Sequence, residues 1–486
     1  MGASRLRGSL SPGAVAALLF TFSTFLHLAY AGILPLSPQE AYYWQYSRHL
    51  ALSYFDHPPA AAWSIRALTA LFGESERGIR LAASFWSAVF FLFFFLSARR
   101  LFGSRVALVA AAALLITPFF SLGQVIITPD APLIAGWIAT LYFTIRALEE
   151  QRGAWLAAAG CATGVACLGK YPGLLLAPQV LLALLLDARG RRLLRTPWPY
   201  LGLSLSALLF LPVVVWNSEH GWPSFVFQFV DRGRSMNFQP VLVGRFLGLQ
   251  ALIVSPLLLL VLIAAVAGAV RRWRDPALRL CALFSAPLLL LLAAVSPFHW
   301  VKMNWAAPAY PSALLAAVAF YESDRRRWRR VFVATAAVAT FATVYVVLMP
   351  LVPAIPFPAR DATTEGWKPL AARVAQERGA WPGLPVVGCF YRVPSTLAYY
   401  LPGRPETFSS NAFGEPGLAY DYWESPAKLA GREVLVVVDD RDSEWCRRRE
   451  ELCRPLEPLP PLEVRRGGSL VTTFRLWRCG YLGLRR

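Results

Sequence analysis

The chain has 486 residues, of which 56% are hydrophobic and only 16% charged, a balance that excludes an ordinary soluble protein. Its formal net charge of +19 invites a nucleic-acid reading, but the arginines fall in short clusters between apolar segments, as in the cytoplasmic loops of a polytopic membrane protein. Nucleic acid is therefore set aside as a partner.

The first apolar run, 12–33, follows Arg5 and Arg7. It is too long for a signal peptide and reads as a membrane helix that starts inside. Next comes PQEAYYWQYSRHLALSYFDHPP, residues 38–59, which crowds Glu40, Asp56, Arg48, His49, His57 and six aromatic rings into a short stretch. That mixture belongs at a lipid–water boundary. Ser37, Pro38 and Glu40 have the spacing of a capping box, so a helix is expected to about residue 50, with Tyr42, Tyr46 and His49 on one face. A second short helix is expected from Pro58 and Pro59 to Gly73, with Asp56 where a cap stands. Both are expected to lie along the membrane.

Further spans are expected at about 80–97, 106–125, 131–147, 154–170, 173–187, 198–216, 246–270, 280–296, 306–322 and 331–353, about eleven in all. Threading them from a cytoplasmic N-terminus makes every second loop arginine-rich. The opposite, outer side then receives 38–80, 128–130, 170–172, 216–245 and 296–305. Those loops hold most of the chemistry. Beyond 353 the composition changes to an amphipathic helix at 366–379 and β-rich runs at 385–390, 433–438 and 469–477. The expected fold is an all-α polytopic membrane protein, residues 1–353, with its first outer loop at 34–80. A small C-terminal α/β or α+β extracytoplasmic domain would follow at 354–486. Cys389, Cys446, Cys453 and Cys479 all fall in that portion and suit disulfides in an oxidising compartment.

Each candidate has a structural role beside its chemical one. Glu40 either closes the capping box or serves as a catalytic acid, and Asp56 either caps a helix or does the same. Asp130, in TPDAPL, is an acid in the first turn of a helix and an ionisable group close to the bilayer, where such groups tend to be functional. Lys170 is the only lysine in the first 300 residues. It is either a snorkelling anchor or a point charge for a lipid phosphate. FHWVKMNW, 298–305, adds His299, Lys302 and Asn304. The imidazoles of His57, His220 and His299 beside Asp56 are the candidates for a divalent metal, although no spacing supports one.

The stretches PQEAYYWQYSRHLALSYFDHPP, TPDAPL, GKYPG, VVVWNSEHGWPSF and VKMNWAAPAYPS, in that order, cover most of the membrane part. As a set they resemble the bacterial glycosyltransferases related to dolichyl-phosphate-mannose protein mannosyltransferases, including lipid A aminoarabinose transferases. The resemblance implies the GT-C class and a polyprenyl-phosphate-linked sugar donor, undecaprenyl phosphate being the bacterial carrier. It also implies transfer with inversion to a lipid, glycan or protein at the periplasmic face of the inner membrane. Such families place an Asp-Glu pair at the start of the first outer loop, where this chain has Gln39-Glu40. Glutamine cannot act as a base, so the role passes to Glu40 or Asp130. Asp56 and His57 match a Glu-Lys pair, which gives His57 a phosphate-facing position, assisted by Lys170 or Arg48. A pH-dependent donor affinity follows from an imidazole there. Tyr42, Tyr43, His299, Lys302 and Asn304 complete the expected substrate contacts. The alternatives are a transporter or flippase of lipid-linked sugars and a scaffold subunit without chemistry.

Overall fold

The computed structural model describes residues 11–231, 237–355, 364–423, 425–442 and 444–484; Arg5 and Arg7 lie outside them. The chain is a helical bundle followed by a small mixed sheet. In order the helices of the bundle are α1 (Pro12–Ala31), α2 (Pro38–Arg48), α3 (Ala60–Phe72), α4 (Glu76–Leu115), α5 (Pro118–Leu122), α6 (Asp130–Glu150), α7 (Ala154–Gly169), α8 (Leu176–Leu186) and α9 (Ala188–Leu193). They continue with α10 (Trp198–Glu219), α11 (Pro223–Phe225), α12 (Val241–Val254), α13 (Pro256–Arg271), α14 (Pro276–Leu283), α15 (Ala286–Val295), α16 (Tyr310–Ser323) and α17 (Arg325–Leu348).

Among the described residues six helices are long and apolar enough to cross a membrane, or seven if the bent pair α12 and α13 is one span, against the eleven expected. The difference comes from breaks. The long α4 takes in two expected spans, 80–97 and the start of 106–125, with a backbone break at Gly103 (φ 84°, ψ 171°) between them. The second stretch stops at Leu115 and restarts as α5, because the residue before Pro118 is pushed out of the helical region. The stretch at 246–270 turns by 104° at Ser255, whose φ of 83° precedes Pro256. The helices α7 and α8 are 16 and 11 residues long, shorter than the roughly 20 residues of a membrane-spanning helix. These pieces still pack into one apolar core: Gly136 of α6 lies so close to Ala162 and Ala166 of α7 that an added Cβ would stand 2.6 Å from a backbone atom. Small residues let membrane helices approach in this way.

The basic loops meet at one end of the bundle. Arg100 pairs with Glu149 and Glu150, Arg105 with Glu322, and Arg279 with Asp187. The acids Glu40, Asp56 and Asp130 sit at the other end, among α2, α3 and the starts of α4 and α6.

In the C-terminal portion, α18 (Trp367–Ala380), α19 (Arg392–Tyr400) and α20 (Arg449–Leu452) accompany β1 (Val386–Gly388), β2 (Thr407–Phe408), β3 (Glu433–Asp439), β4 (Cys453–Arg466) and β5 (Ser469–Tyr481). The strand order is β2-β1-β3-β5-β4, parallel between β1 and its neighbours and antiparallel elsewhere. The composition-based outline missed β4, whose prolines at 455, 458, 460 and 461 argue against a strand. It is tolerated because β4 is the sheet edge, where missing N–H donors face away from the ladder. Two disulfides, Cys389–Cys446 and Cys453–Cys479, use all four C-terminal cysteines.

Candidate active site

The capping box at α2 is present. Ser37 Oγ accepts from the Glu40 N–H at 3.3 Å, and Glu40 Oε2 accepts from the Ser37 N–H at 2.9 Å. The rest of the Glu40 carboxylate is committed to Arg80 of α4, which donates to Oε1 at 2.8 Å and to Oε2 at 3.0 Å. Arg80 spends its remaining donors on the carbonyls of Ala31, Leu34 and Pro35. Both side chains are buried, so this is a latch joining α1, α2 and α4. It leaves Glu40 closed off from any reactant. Arg80 was not singled out in the sequence; an arginine at the start of an apolar helix reads there as a basic flank.

Asp56 does not cap α3, whose first turn carries no side-chain cap. Its carboxylate instead accepts from the hydroxyls of Tyr46 and, at 3.3 Å, Tyr42. The two phenols sit four residues apart on α2, the shared face expected from spacing. Its main-chain carbonyl accepts from Gln228 at 2.8 Å, on one turn of π-helix, Val226–Val230. Burial among these rings pushes the Asp56 carboxyl above its ordinary range, against the hydrogen bonds of Tyr46 and Tyr42 and the Lys302 cation. Burial and the neighbouring Asp56 charge hold Tyr42 and Tyr46 as neutral phenols.

Asp130 opens α6. Its Oδ1 accepts from Lys170 Nζ at 2.9 Å and its Oδ2 from Asn304 Nδ2 at 2.5 Å. The sequence GKYPG explains the first contact: α7 ends at Gly169, where an added Cβ would stand 2.5 Å from the Leu133 nitrogen. Only glycine permits that approach of α7 to the first turn of α6, and Lys170, in extended backbone, is thereby carried to Asp130. Asn304 comes from a 3-10 segment, Met303–Ala309. Three segments far apart in sequence thus meet at one carboxylate.

These groups line a cavity of about 450 Å³. On its polar side are Gln39, Tyr43, His57, Asp130, Lys170, His299, Lys302 and Asn304. Its other lining residues include Leu174, Leu175, Leu288, Leu291, Leu292 and Val295 from the α8 and α15 side. A cationic and hydrogen-bonding head above an apolar slot has the shape of a site for an amphiphile with an anionic head.

Residues 56–216 match the dolichyl-phosphate-mannose-protein mannosyltransferase family. The lipid A galacturonosyltransferase RgtD of Rhizobium johnstonii is 27% identical over 282 residues, 57% of this chain and 59% of that one. The lipopolysaccharide core galacturonosyltransferase RgtA of the same organism is 27% identical over 207 residues, 42% and 41% of the two chains. The matches therefore span less than two thirds of either relative's length. Among solved structures, ArnT from Cupriavidus metallidurans bound to undecaprenyl phosphate superposes with a TM-score of 0.63 at 18% identity, over 95% of this chain and 97% of that one. The fold is that of a GT-C glycosyltransferase. A second GT-C neighbour, the Archaeoglobus fulgidus oligosaccharyltransferase in complex with Zn and sulfate, has a TM-score of 0.55 at 14% identity, over 88% and 68%.

Within this GT-C fold the structure sorts the residues singled out in the sequence into three places. Asp130, Lys170, Asn304, Lys302, His299, His57 and Tyr43 share the cavity. Tyr42 turns to Asp56 and to the Ala419 N–H at 3.0 Å. Arg48 stands apart, paired with Glu406 at 2.6 Å and lining a different cavity. Tyr46 joins the site through Asp56, while Gln228 both holds the Asp56 carbonyl and lines the cavity; only Tyr46 had a signal, its spacing from Tyr42. Among the described residues no three His, Cys, Asp or Glu side chains come together as metal ligands, and His220 lines a different cavity from His57 and His299. A third cavity, about 370 Å³ between α13, α16 and α17, is lined by Arg271 and Arg272 and by no acid.

Proposed function

We propose that this chain is a multi-pass membrane glycosyltransferase of the bacterial inner membrane. It moves a sugar from a polyprenyl-phosphate carrier to a lipid or glycan acceptor at the periplasmic face, with inversion. The observation that carries the proposal is the cavity in which Lys302, Lys170 and His57 stand above an apolar slot. That is the chemistry of a phosphate on a long isoprenoid tail. RgtD and RgtA, whose names specify lipid A and lipopolysaccharide core, and ArnT, seen with undecaprenyl phosphate, support donor and acceptor classes of this kind.

In this mechanism Asp130 is the base. Lys170 and Asn304 fix its carboxylate, which takes the proton from the acceptor hydroxyl as that oxygen bonds to the anomeric carbon. The bond from that carbon to the phosphate oxygen breaks on the opposite side, and its electron pair leaves with the phosphate. Lys302 and His57 neutralise that charge as it develops, and Lys170 has donors to spare. Glu40, with every oxygen engaged by Ser37 and Arg80, is assigned to structure, and Asp56 to positioning of the wall between α2 and the π-turn. The N-terminus is placed in the cytoplasm and residues 354–486 in the periplasm, which suits the two disulfides.

The 104° break between α12 and α13 is the one feature that leans toward a transporter. Residues 248–260 around it contain no ionisable group, so the break itself brings no charged side chain to a midplane site, and the ionisable residues of the cavity lie elsewhere.

The test is transfer from a radiolabelled polyprenyl-phosphate sugar pool in membranes. Wild type labels a lipid or glycan product and Asp130→Asn does not. Equal labelling in both removes Asp130 from the mechanism. No labelling in wild type with galacturonosyl, aminoarabinosyl or mannosyl donors ends the transferase reading.

A further inference from the structure

A cavity of about 620 Å³ lies on the far side of Asp56 from the one just described. Its size is within the roughly 300–1,000 Å³ of small-ligand sites. Resting on the transferase reading, we infer that it receives the saccharide of the acceptor.

Its lining differs in kind from that of the first cavity. Phe55, Trp216, Tyr422 and Trp423 present aromatic rings, and Arg48, His49, Glu219 and His220 present charged or polar groups between them. The rings are fixed. His49 stacks on Trp423 at 4.6 Å and 12°, and His220 on Trp216 at 4.3 Å and 17°. Phe55 stacks on Tyr422 at 5.8 Å. A sugar ring has an apolar face of C–H bonds and an equator of hydroxyls. Rigid aromatic faces with donors and acceptors at their edges match both. An acyl chain would gain little from the charged edges, and a bare phosphate little from the rings.

Position argues for the acceptor specifically. Phe55 lines this cavity and His57 lines the other, with Asp56 between them, so three consecutive residues form the partition. The partition is pinned from behind: Ser224 Oγ donates to the Tyr54 carbonyl at 3.1 Å and Gln228 to that of Asp56 at 2.8 Å. Trp423 also meets Tyr46 at 5.6 Å and Tyr42 at 6.2 Å, the two phenols that hold Asp56. A saccharide against Trp423 and Tyr422 therefore lies across residues 55–57 from the donor cavity, and those two rings come from the C-terminal portion of the chain.

The experiment uses the full-length protein in lipid nanodiscs, with soluble deacylated lipid A headgroup and core oligosaccharide as probes. Hydrogen exchange is followed at 216–222 and 418–423. Protection of both segments by at least one probe is expected in wild type, and its loss in Trp423→Ala and Tyr422→Ala. Undecaprenyl phosphate binding, measured on the same samples, stays within about twofold in Tyr422→Ala, which shows that the fold is kept. In transfer assays Tyr422→Ala raises the acceptor KM about tenfold, worth about 1.4 kcal/mol, with the donor KM unchanged, and Tyr422→Phe restores it. No protection by either probe, or equal protection in wild type and both alanine variants, overturns the inference. Protection without any sugar transfer would sink the transferase reading while leaving the saccharide site in place. Transfer with an unchanged acceptor KM in both alanine variants would remove the site alone.

Discussion

The Glu40–Arg80 latch decides what Glu40 is for. Arg80 donates five hydrogen bonds from a side chain that is 2% exposed, two to Glu40 and three to the carbonyls that end α1 and lead into α2. Glu40→Gln removes the only carboxylate among those partners and leaves a buried guanidinium facing an amide. Removing one member of such a pair costs about 3–5 kcal/mol, because the other charge stays buried without compensation. Arg80→Met should cost a similar amount and strand three carbonyls as well. The double variant Glu40→Gln/Arg80→Met removes both charges, so its loss should fall short of the sum of the singles by about 2 kcal/mol or more. Denaturant unfolding in nanodiscs, followed by tryptophan fluorescence, measures all four species. Transfer is then scored per folded molecule. Folded Glu40→Gln should keep its rate within a few-fold, whereas loss of a general base costs about 10²–10⁴-fold. A well-folded Glu40→Gln with transfer down more than about 100-fold, unrelieved in the double variant, would refute the structural assignment.

The other expectations follow from the same geometry. Gly169→Ala should push α7 off the first turn of α6 and separate Lys170 from Asp130; transfer should fall by about tenfold or more with donor binding less affected, seen as a kcat effect larger than the KM effect. Burial raises the Asp56 carboxyl above the ordinary 3.8, so its protonated form favours the fold. That contribution is complete below 3.8 and is lost as pH rises through the raised value. Asp56→Asn should therefore unfold later than wild type at neutral pH and no differently at pH below 3.8, as a pH series of melting curves would reveal. Breaking Cys453–Cys479, which closes a 26-residue separation, should cost about 3.5 kcal/mol in the chain-entropy picture, read as earlier proteolysis of the C-terminal portion of Cys453→Ser/Cys479→Ser.

Much of this was legible in the chain itself. The capping box, the shared face of Tyr42 and Tyr46, the two short helices and the C-terminal β-runs followed from local spacing, which local physics reads directly. Partnerships were not legible. Nothing near Asp130 announces Asn304, 174 residues later, and nothing near Glu40 announces Arg80. The sequence showed acids and bases gathered in a few loops but could not say which acid was satisfied by a neighbour and which faced a cavity. The expected spans and the helices differ where apolarity and helicity part company. Residues 106–125 and 246–270 carry no charge and are mostly apolar, and a proline in each cuts the helix while leaving the stretch mostly apolar.

The surroundings of α2 are completed by the last quarter of the chain. Tyr400 hydroxyl accepts from the Leu36 N–H at 2.6 Å, Tyr42 accepts from the Ala419 N–H, Arg48 pairs with Glu406, and Trp44 meets Tyr399 edge-on at 5.0 Å. Ribosomes deliver these partners more than 350 residues after the helix they complete. A chain whose helical bundle is already made therefore still lacks these partners of α2 until residues 399–419 have docked. The contacts that shape the site in space therefore also set when it is complete: α2 waits on the C-terminal portion of the same chain.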